Sequence, residues 1–207
     1  MTEDEWLHSD WFVPQFDYVC RSASNRKCRL FSVACCRLVW DYLGTSRNQQ
    51  IVELSEQYAD RNIAYSQLRK LCPIDIRPSA NRDLAAWYCA RMGKVEAPLM
   101  AAWCAARVAI RLGKQQPGFV DASQSAILRD IFGNPFRPVT FDPRWRTSDV
   151  VGVARGIYED KAFERMPILA DALMDAGCED EQIIGHCRGD GPHVRGCWVV
   201  DLVLGKV

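Results

Sequence analysis

Apolar residues recur at the spacing of an α-helix in one segment of the chain after another. The clearest of these faces holds Cys28, Phe31, Cys35, Leu38, Val39 and Tyr42. Most such segments begin after a residue that can cap a helix and end at a glycine or before a proline. The last segment, 194–204, also satisfies the template of a short strand, and we favour a helix there. The pattern predicts a mainly α-helical, bundle-like protein.

The clearest break in the chain is the run 113–118, where glycine and proline bracket polar residues without any apolar period. We expect a boundary there, between an N-terminal helical subdomain at 1–116 and a C-terminal helical subdomain at 117–207. Three prolines fall between residues 134 and 145, and they exclude a helix from that stretch. We expect it to form a proline-rich extended strap that joins two packed subdomains. Its expected anchors in the core are Phe136, Phe141 and Trp145.

Charge and cysteine content limit the environment of the protein. The 26 Lys and Arg residues balance 26 Asp and Glu residues, so no field of one sign attracts the chain to nucleic acid or an anionic membrane. The N-terminus is acidic and lacks the apolar core of a signal peptide, and no long apolar run resembles a membrane span. We therefore expect a cytoplasmic protein without a membrane partner. Its ten cysteines are expected to be reduced, with Cys89 and Cys104 in the core.

The residues with the most chemical potential lie in the glycine-rich stretch from His186 to Trp198, which holds two of the three histidines and two of the ten cysteines. His186, Cys187, His193 and Cys197 are candidate metal ligands, because imidazole nitrogen and thiolate sulfur are the donors that zinc prefers. His193 and Cys197 have the i, i+4 spacing of one helical turn, which can present two ligands together. A structural zinc ion would be the expected cofactor.

That candidate set does not complete a tetrahedral site by itself. His186 and Cys187 are sequence neighbours, and neighbours on a helix point about 100° apart, so both binding one ion is geometrically awkward. A ligand from elsewhere in the chain would be needed. The candidates are Cys35, Cys36 and Cys178, of which Cys36 is the least explained because it points away from the apolar face of its helix.

Two other interpretations of the same stretch remain open. Cys187 lies beside His186 and Arg188, and such neighbours can stabilise a reactive thiolate. Alternatively, the histidines only cap helix ends, the glycines supply turn conformations, and Cys197 and Trp198 are plain core residues.

Arginines interleaved with aromatic residues are candidate binding residues. Arg137, Arg144 and Trp145 lie on or beside the strap, where they could contact phosphate or single-stranded nucleic acid. More often such arginines stack on aromatic rings or pair with local acids such as Asp142, so we do not expect a nucleic-acid partner. Further candidate binding residues in the glycine-rich stretch are Arg188 and Arg195.

Four segments together resemble a known group of proteins. They are Leu30–Arg37, Arg129–Pro138, Pro167–Leu173 and the stretch that begins His-Cys-Arg at His186 and ends Gly-Cys-Trp at Trp198. Nearly the whole chain resembles a large paralogous family of uncharacterised bacterial proteins, abundant in planctomycetes such as Gemmata. The resemblance implies no particular activity, cofactor or catalytic residue. Because some related sequences accompany repeat proteins, it favours a binding or regulatory role.

The sequence thus predicts a non-catalytic binding or regulatory module with a protein partner, organised around a structural Cys/His metal site. The alternative is an enzyme that uses the same centre, either through a metal-activated water or through the Cys187 thiolate. The two classes differ in one structural respect. A catalytic centre opens into a pocket, whereas a structural centre is buried and fully ligated.

Overall fold

The structure is a computed structural model that describes residues 1–72, 78–91, 96–111 and 117–206. The α-helices in these ranges are Glu3–His8 (α1), Phe12–Cys20 (α2), Asn25–Arg37 (α3), Ser46–Ala59 (α4), Tyr65–Leu71 (α5), Asn81–Ala90 (α6), Glu96–Arg111 (α7), Pro117–Phe132 (α8), Ser148–Asp160 (α9), Met166–Asp175 (α10), Glu181–Arg188 (α11) and Trp198–Leu204 (α12). Short 3-10 helices lie at Trp40–Tyr42, Pro143–Trp145 and Phe163–Arg165. No strand occurs among the described residues, and the predicted mainly α-helical fold class is confirmed.

The signals that predicted the helix ends are present in the structure. Ser24 caps α3, its hydroxyl oxygen accepting from the backbone N–H of Lys27, and Thr147 caps α9 in the same way through Val150. Gly133 and Gly177 follow the last residues of α8 and α10 with φ of +66° and +83°, a conformation in which glycine carries no Cβ penalty. Local chemistry therefore fixes where these helices begin and end.

The chain divides into two compact units, Met1–Arg129 and Asp130–Val207, and the division falls inside α8. Most of the predicted break at 113–118 lies outside the described residues. The predicted boundary after residue 116 therefore stays a prediction. The strap residues 134–145 belong to the second unit.

In the first unit α3 packs against α4, α6 and α7. The sequence predicts an amphipathic α3, but the helix is buried on most sides, and its polar face includes Arg29, only 8% exposed. The Arg29 guanidinium donates to the backbone carbonyls of Cys89 and Arg91, at 2.8 and 2.9 Å. These carbonyls lie at the C-terminal end of α6, where intrahelical partners run out. The buried charge therefore serves as a cap for another helix.

In the second unit α9 packs against α10 and α12, and α10 packs against α11. The core between these helices is apolar and includes Val150, Ile157, Leu169, Leu173 and Val203. Phe141 and Trp145 of the strap pack against this core. Their rings meet edge to face, with 5.5 Å between the ring centroids. None of the described helices has both the length and the apolar character that crossing a membrane requires.

Candidate metal centre

Four potential ligand side chains converge inside the second unit. They are Asp130, His186, His193 and Cys197, and one donor atom from each lies within 4.8 Å of all the others. Asp130 comes from the last turns of α8 and His186 from α11, whereas His193 and Cys197 belong to the segment that leads into α12. We call this group the Asp-His-His-Cys cluster.

A close contact between Gly133 and Trp198 helps to bring these elements together. A Cβ built on Gly133 would lie 3.2 Å from atoms of the Trp198 ring, closer than nine in ten real Cβ contacts. The same indole lies 5.2 Å from the His186 imidazole, measured between ring centroids. Glycine at the end of α8 therefore allows the indole at the start of α12 to approach, beside the cluster.

His186 faces the cluster because its neighbour faces the core. Cys187 is completely buried among the apolar residues of the second unit, and the roughly 100° between successive helical residues turns His186 to another side. The N-terminus of α11 is fixed by Asp180, whose carboxylate accepts from the backbone N–H groups of Gln182 and Ile183. His186 and Cys187 therefore point to different sides of α11, and of the two only His186 belongs to the cluster.

The prediction that His193 and Cys197 share one helical turn is wrong. Residues 192–194 form no helix, Gly196 has a φ of +100°, and α12 begins only at Trp198. A tight turn connects the two residues instead, with the Cys197 N–H donating to the carbonyl of Val194 at 2.9 Å. This turn nevertheless places both side chains in the Asp-His-His-Cys cluster.

The donor atoms approach one another closely. His186 Nε2 lies 3.1 Å from Asp130 Oδ1 and also 3.1 Å from Cys197 Sγ. His193 Nδ1 lies 2.9 Å from the same Oδ1, and the Val194 N–H donates to Oδ2 at 2.8 Å. With zinc–nitrogen and zinc–oxygen bonds of about 2.0–2.1 Å, adjacent ligand atoms of a tetrahedral site are roughly 3.3 Å apart. The cluster therefore has nearly the spacing of a ligand set.

Hydrogen bonding alone does not satisfy this arrangement well. A neutral imidazole nitrogen offers either one hydrogen or one lone pair, yet His186 Nε2 has a carboxylate oxygen and a sulfur at equal distances. His193 Nε2 is buried and has no hydrogen-bond partner. The cluster thus combines a buried carboxylate, a thiol and an imidazole nitrogen without a partner, and a cation is attracted to such a place.

The electrostatics of the buried groups agree with this account. Burial raises the pKa of the Asp130 carboxyl, but hydrogen bonds from His186 and His193 outweigh that effect, and the pKa lies below its ordinary value. The pKa of the Cys197 thiol is raised well above its usual range by burial and by the neighbouring Asp130 charge. A bound cation would oppose both effects on the thiol, since metals deprotonate coordinating thiols.

The remaining cysteines proposed as ligands lie elsewhere. Cys36 is in α3 of the first unit, where its thiol donates to the carbonyl of Ala85 at 3.5 Å. Cys187 is buried, and desolvation raises the pKa of its thiol to about 12. That shift runs against the hypothesis of a reactive Cys187 thiolate, which needs a lowered pKa. All ten cysteines are free thiols in the structure.

The arginines proposed as binding residues are separately engaged, as are their aromatic neighbours. Arg144 pairs with Asp142 at 2.6 Å, and Arg188 donates to Asp171 at 2.8 Å. The Arg195 guanidinium lies 4.3 Å from the centroid of the Tyr158 ring. Trp145 is half-buried against the core, and Arg137 is exposed on the strap. The structure places these side chains in separate local contacts.

The sequence did not indicate that Asp130 belongs to the cluster. The available signal was a carboxylate on a helix face that is otherwise apolar, since Ile127, Leu128 and Ile131 are buried around it. A buried carboxylate without a matching basic side chain is expensive and calls for specific partners. The two imidazoles supply that partnership here.

No protein-family model, no curated protein and no solved structure matches this chain.

Proposed function

We propose that the protein is a non-catalytic binding or regulatory module whose second unit is organised around a structural zinc ion. Asp130, His186, His193 and Cys197 would be the four ligands. Membership of the planctomycete family that the sequence resembles, and a protein partner, are parts of the same proposal. One observation carries it: four donor atoms from three parts of the chain converge at ligand spacing in the interior.

The chemistry of the donor set favours zinc. Two imidazoles, one carboxylate and one thiolate combine borderline and soft donors, which suits zinc better than magnesium or calcium, whose sites are built from oxygen alone. Zinc also accepts a tetrahedral arrangement without a preference from its d electrons. The cluster has four protein donors, the number that structural zinc sites use.

Burial favours a structural role over catalysis. Asp130 and Cys197 are 3% and 0% exposed, and the His193 side chain is 8% exposed. A catalytic zinc site keeps one position for water or substrate, whereas four protein ligands close the coordination sphere. Because a ligand set of this kind does not exist in the unfolded chain, the binding energy of the ion stabilises the fold.

The decisive experiment is metal analysis of the full chain purified without a histidine tag. We expect about one zinc ion per chain, bound tightly enough to survive gel filtration. Cobalt substituted for zinc should give the visible absorption of a tetrahedral ion and a sulfur-to-cobalt charge-transfer band from Cys197. Replacement of His193 or Cys197 with alanine should remove the metal and lower the melting temperature.

Cys104→Ala is the matched control, because Cys104, at 4% exposure, is also a buried thiol and lies in α7 of the first unit. This variant should keep its metal content. Cys197→Ser covers the case in which the alanine variant fails to fold, and it should keep the cobalt site while losing the sulfur charge-transfer band. A wild-type protein that holds no stoichiometric metal and takes up none from micromolar zinc would overturn the proposal.

A further inference from the structure

The solvent-facing side of α7 in the first unit carries apolar side chains. Its exposed and half-buried positions include five residues spaced alternately four and three apart, as in a heptad repeat: Glu96, Met100, Trp103, Arg107 and Ile110. We call this set the α7 seam. Trp103 is 50% exposed and Ile110 is 37% exposed, although a surface helix normally turns polar side chains toward water. Exposed apolar residues arranged in this way mark a contact surface.

The other sides of α7 are occupied by the same chain. The helix packs against α3 and α6, and apart from the seam and the half-buried Leu99, the side chains described in α7 are buried. The centre of the seam, Met100 and Trp103, lies at least one turn inside both ends of the helix. The seam is therefore a narrow stripe, of the width that one further helix covers.

The two charges in the seam indicate which helix fits it. Glu96 and Arg107 are both exposed, and they lie eleven residues apart on either side of Met100 and Trp103. Against a parallel copy of α7, each charge would face its own kind, which is unfavourable. Against an antiparallel copy whose twofold axis passes between residues 101 and 102, Glu96 of each copy faces Arg107 of the other. The seam is therefore electrostatically complementary to itself in the antiparallel orientation.

The same antiparallel register aligns the apolar side chains of the seam. With the axis between residues 101 and 102, Met100 of each copy lies at the level of Trp103 of the other along the helix axis. Contact between a thioether and an indole is favourable, and it removes apolar surface from water. A register that sets Trp103 against itself instead places Glu96 opposite Ile110. One register therefore satisfies the charges and the apolar contacts together.

We propose that the α7 seam is the interface of a homodimer, in which α7 of two copies of this chain packs antiparallel about a twofold axis. Two Glu96–Arg107 pairs flank a centre of two Met100 and two Trp103 side chains. The same surface serves both copies, as a twofold axis requires. Because one helix pair is smaller than a standard protein–protein interface, we expect a dissociation constant of about 10–100 µM. The interface belongs to the first unit and does not depend on the proposed zinc ion.

The first test is sedimentation equilibrium of the full chain at concentrations from about 5 to 500 µM, a range that spans the expected dissociation constant. We expect a monomer–dimer equilibrium. Trp103→Ala should weaken association by about tenfold or more, because aromatic residues at the centre of an interface contribute most to binding. Trp11→Ala is the matched control, since Trp11 is 60% exposed and lies outside α7. It should leave the dissociation constant unchanged.

Charge reversals test the antiparallel register. Glu96→Arg and Arg107→Glu each convert both ion pairs into contacts between like charges, so each should weaken association by about tenfold or more. The double variant restores opposite charges and should associate as tightly as the wild type. An equimolar mixture of the two single variants should do the same.

A zero-length cross-link locates the contact directly. Arg107→Lys keeps the positive charge and supplies an amine, which a carbodiimide can join to the Glu96 carboxylate. Within one helix these two positions are about 16 Å apart along the axis, too far for such a link. We therefore expect mass spectrometry of the cross-linked dimer to find an amide between position 107 of one copy and Glu96 of the other.

Three outcomes would overturn the proposal. The first is a protein that stays monomeric over the whole concentration range, which would leave the seam to another part of this chain or to a different protein. The second is a dimer that Trp103→Ala does not weaken, which would assign the contact to another surface. The third is an equal dissociation constant for the wild type and both charge reversals, which would exclude the antiparallel register.

Discussion

The two units bury their charged side chains in different ways. In the first unit Arg29 donates to two backbone carbonyls and lies 4.9 Å from the centroid of the Tyr58 ring, so its hydrogens meet acceptors. In the second unit Asp130 meets the imidazoles of His186 and His193. His186 also contacts the Cys197 thiol, and the Nε2 atom of His193 has no hydrogen-bond partner. Buried charge by itself therefore does not indicate a ligand site. The informative feature is the convergence of nitrogen, oxygen and sulfur donor atoms on one place.

The cysteines show the same contrast. Cys36 lies beside Cys89, and the pKa of the Cys36 thiol is raised by its hydrogen bond to that neighbour and by burial. The groups found near Cys36 are other thiols and a backbone carbonyl, whereas Cys197 faces an imidazole and a carboxylate. Few of the ten cysteines are therefore candidate metal ligands. Nitrogen and oxygen atoms around its thiol distinguish Cys197, a candidate metal ligand, from a core cysteine such as Cys36.

The largest expected effect comes from changing the two buried charges in parallel. Asp130→Asn removes the proposed anionic ligand and should cost about 3–5 kcal/mol of unfolding free energy, because a buried group loses its charged partner. Metal content should fall in the same variant. Arg29→Met should cost roughly 2–4 kcal/mol, because two buried carbonyls lose a charged donor.

Urea unfolding followed by circular dichroism measures the loss of unfolding free energy in each variant. Metal analysis then shows which of the two variants has also lost metal. Arg29→Met should keep its full metal content, since Arg29 lies in the first unit and the cluster in the second. Loss of metal from Arg29→Met in its folded state, or full retention by Asp130→Asn, would break the distinction between a capping charge and a ligand charge.

A smaller effect is expected from two glycines of the second unit. Gly133→Ala should destabilise the protein by about 1–3 kcal/mol, because alanine is strained at positive φ and its Cβ would press on the Trp198 ring. Gly152→Ala lies inside α9 with open space around the added Cβ, so it should stabilise by about 0.5–1 kcal/mol.

The two alanine variants are compared by melting temperature under identical conditions. We expect the melting temperature to fall in Gly133→Ala and to rise in Gly152→Ala. If Gly133→Ala melted at or above the wild-type temperature, the approach of Trp198 to the end of α8 would not constrain the cluster as the geometry requires.

Sequence patterns were sufficient for the fold because helices are determined locally. Caps such as Ser24 and Thr147 and the glycines after α8 and α10 act within a few residues of the ends that they fix. The burial of Arg29 was not predictable in this way, because its partners, at the end of α6, are distant in sequence. The sequence immediately around a buried arginine does not differ from the sequence around a solvated one.

The candidate site was predictable only in part, for the same reason. His186, His193 and Cys197 are close in sequence, and their residue types alone suggest ligands. Asp130 lies in a different helix, and only the tertiary fold brings it to them. The i, i+4 spacing also misled, because a turn through Gly196 brings His193 and Cys197 together without a helix.

The smallest expected effect concerns the reactivity of Cys187. With the pKa of its thiol raised to about 12 by burial, the thiolate is a minor species at neutral pH, and its fraction grows only as the pH rises toward that value. Iodoacetamide should therefore label Cys187 no faster than Cys104 in the folded protein at mildly acidic pH, and both should be labelled in urea. Mass spectrometry of peptides from timed reactions measures the two rates. Preferential labelling of Cys187 at low pH would restore the thiolate enzyme as the better account of the glycine-rich stretch. Slow labelling leaves Cys197, the cluster thiol, as the cysteine whose environment is chemically distinct in the second unit.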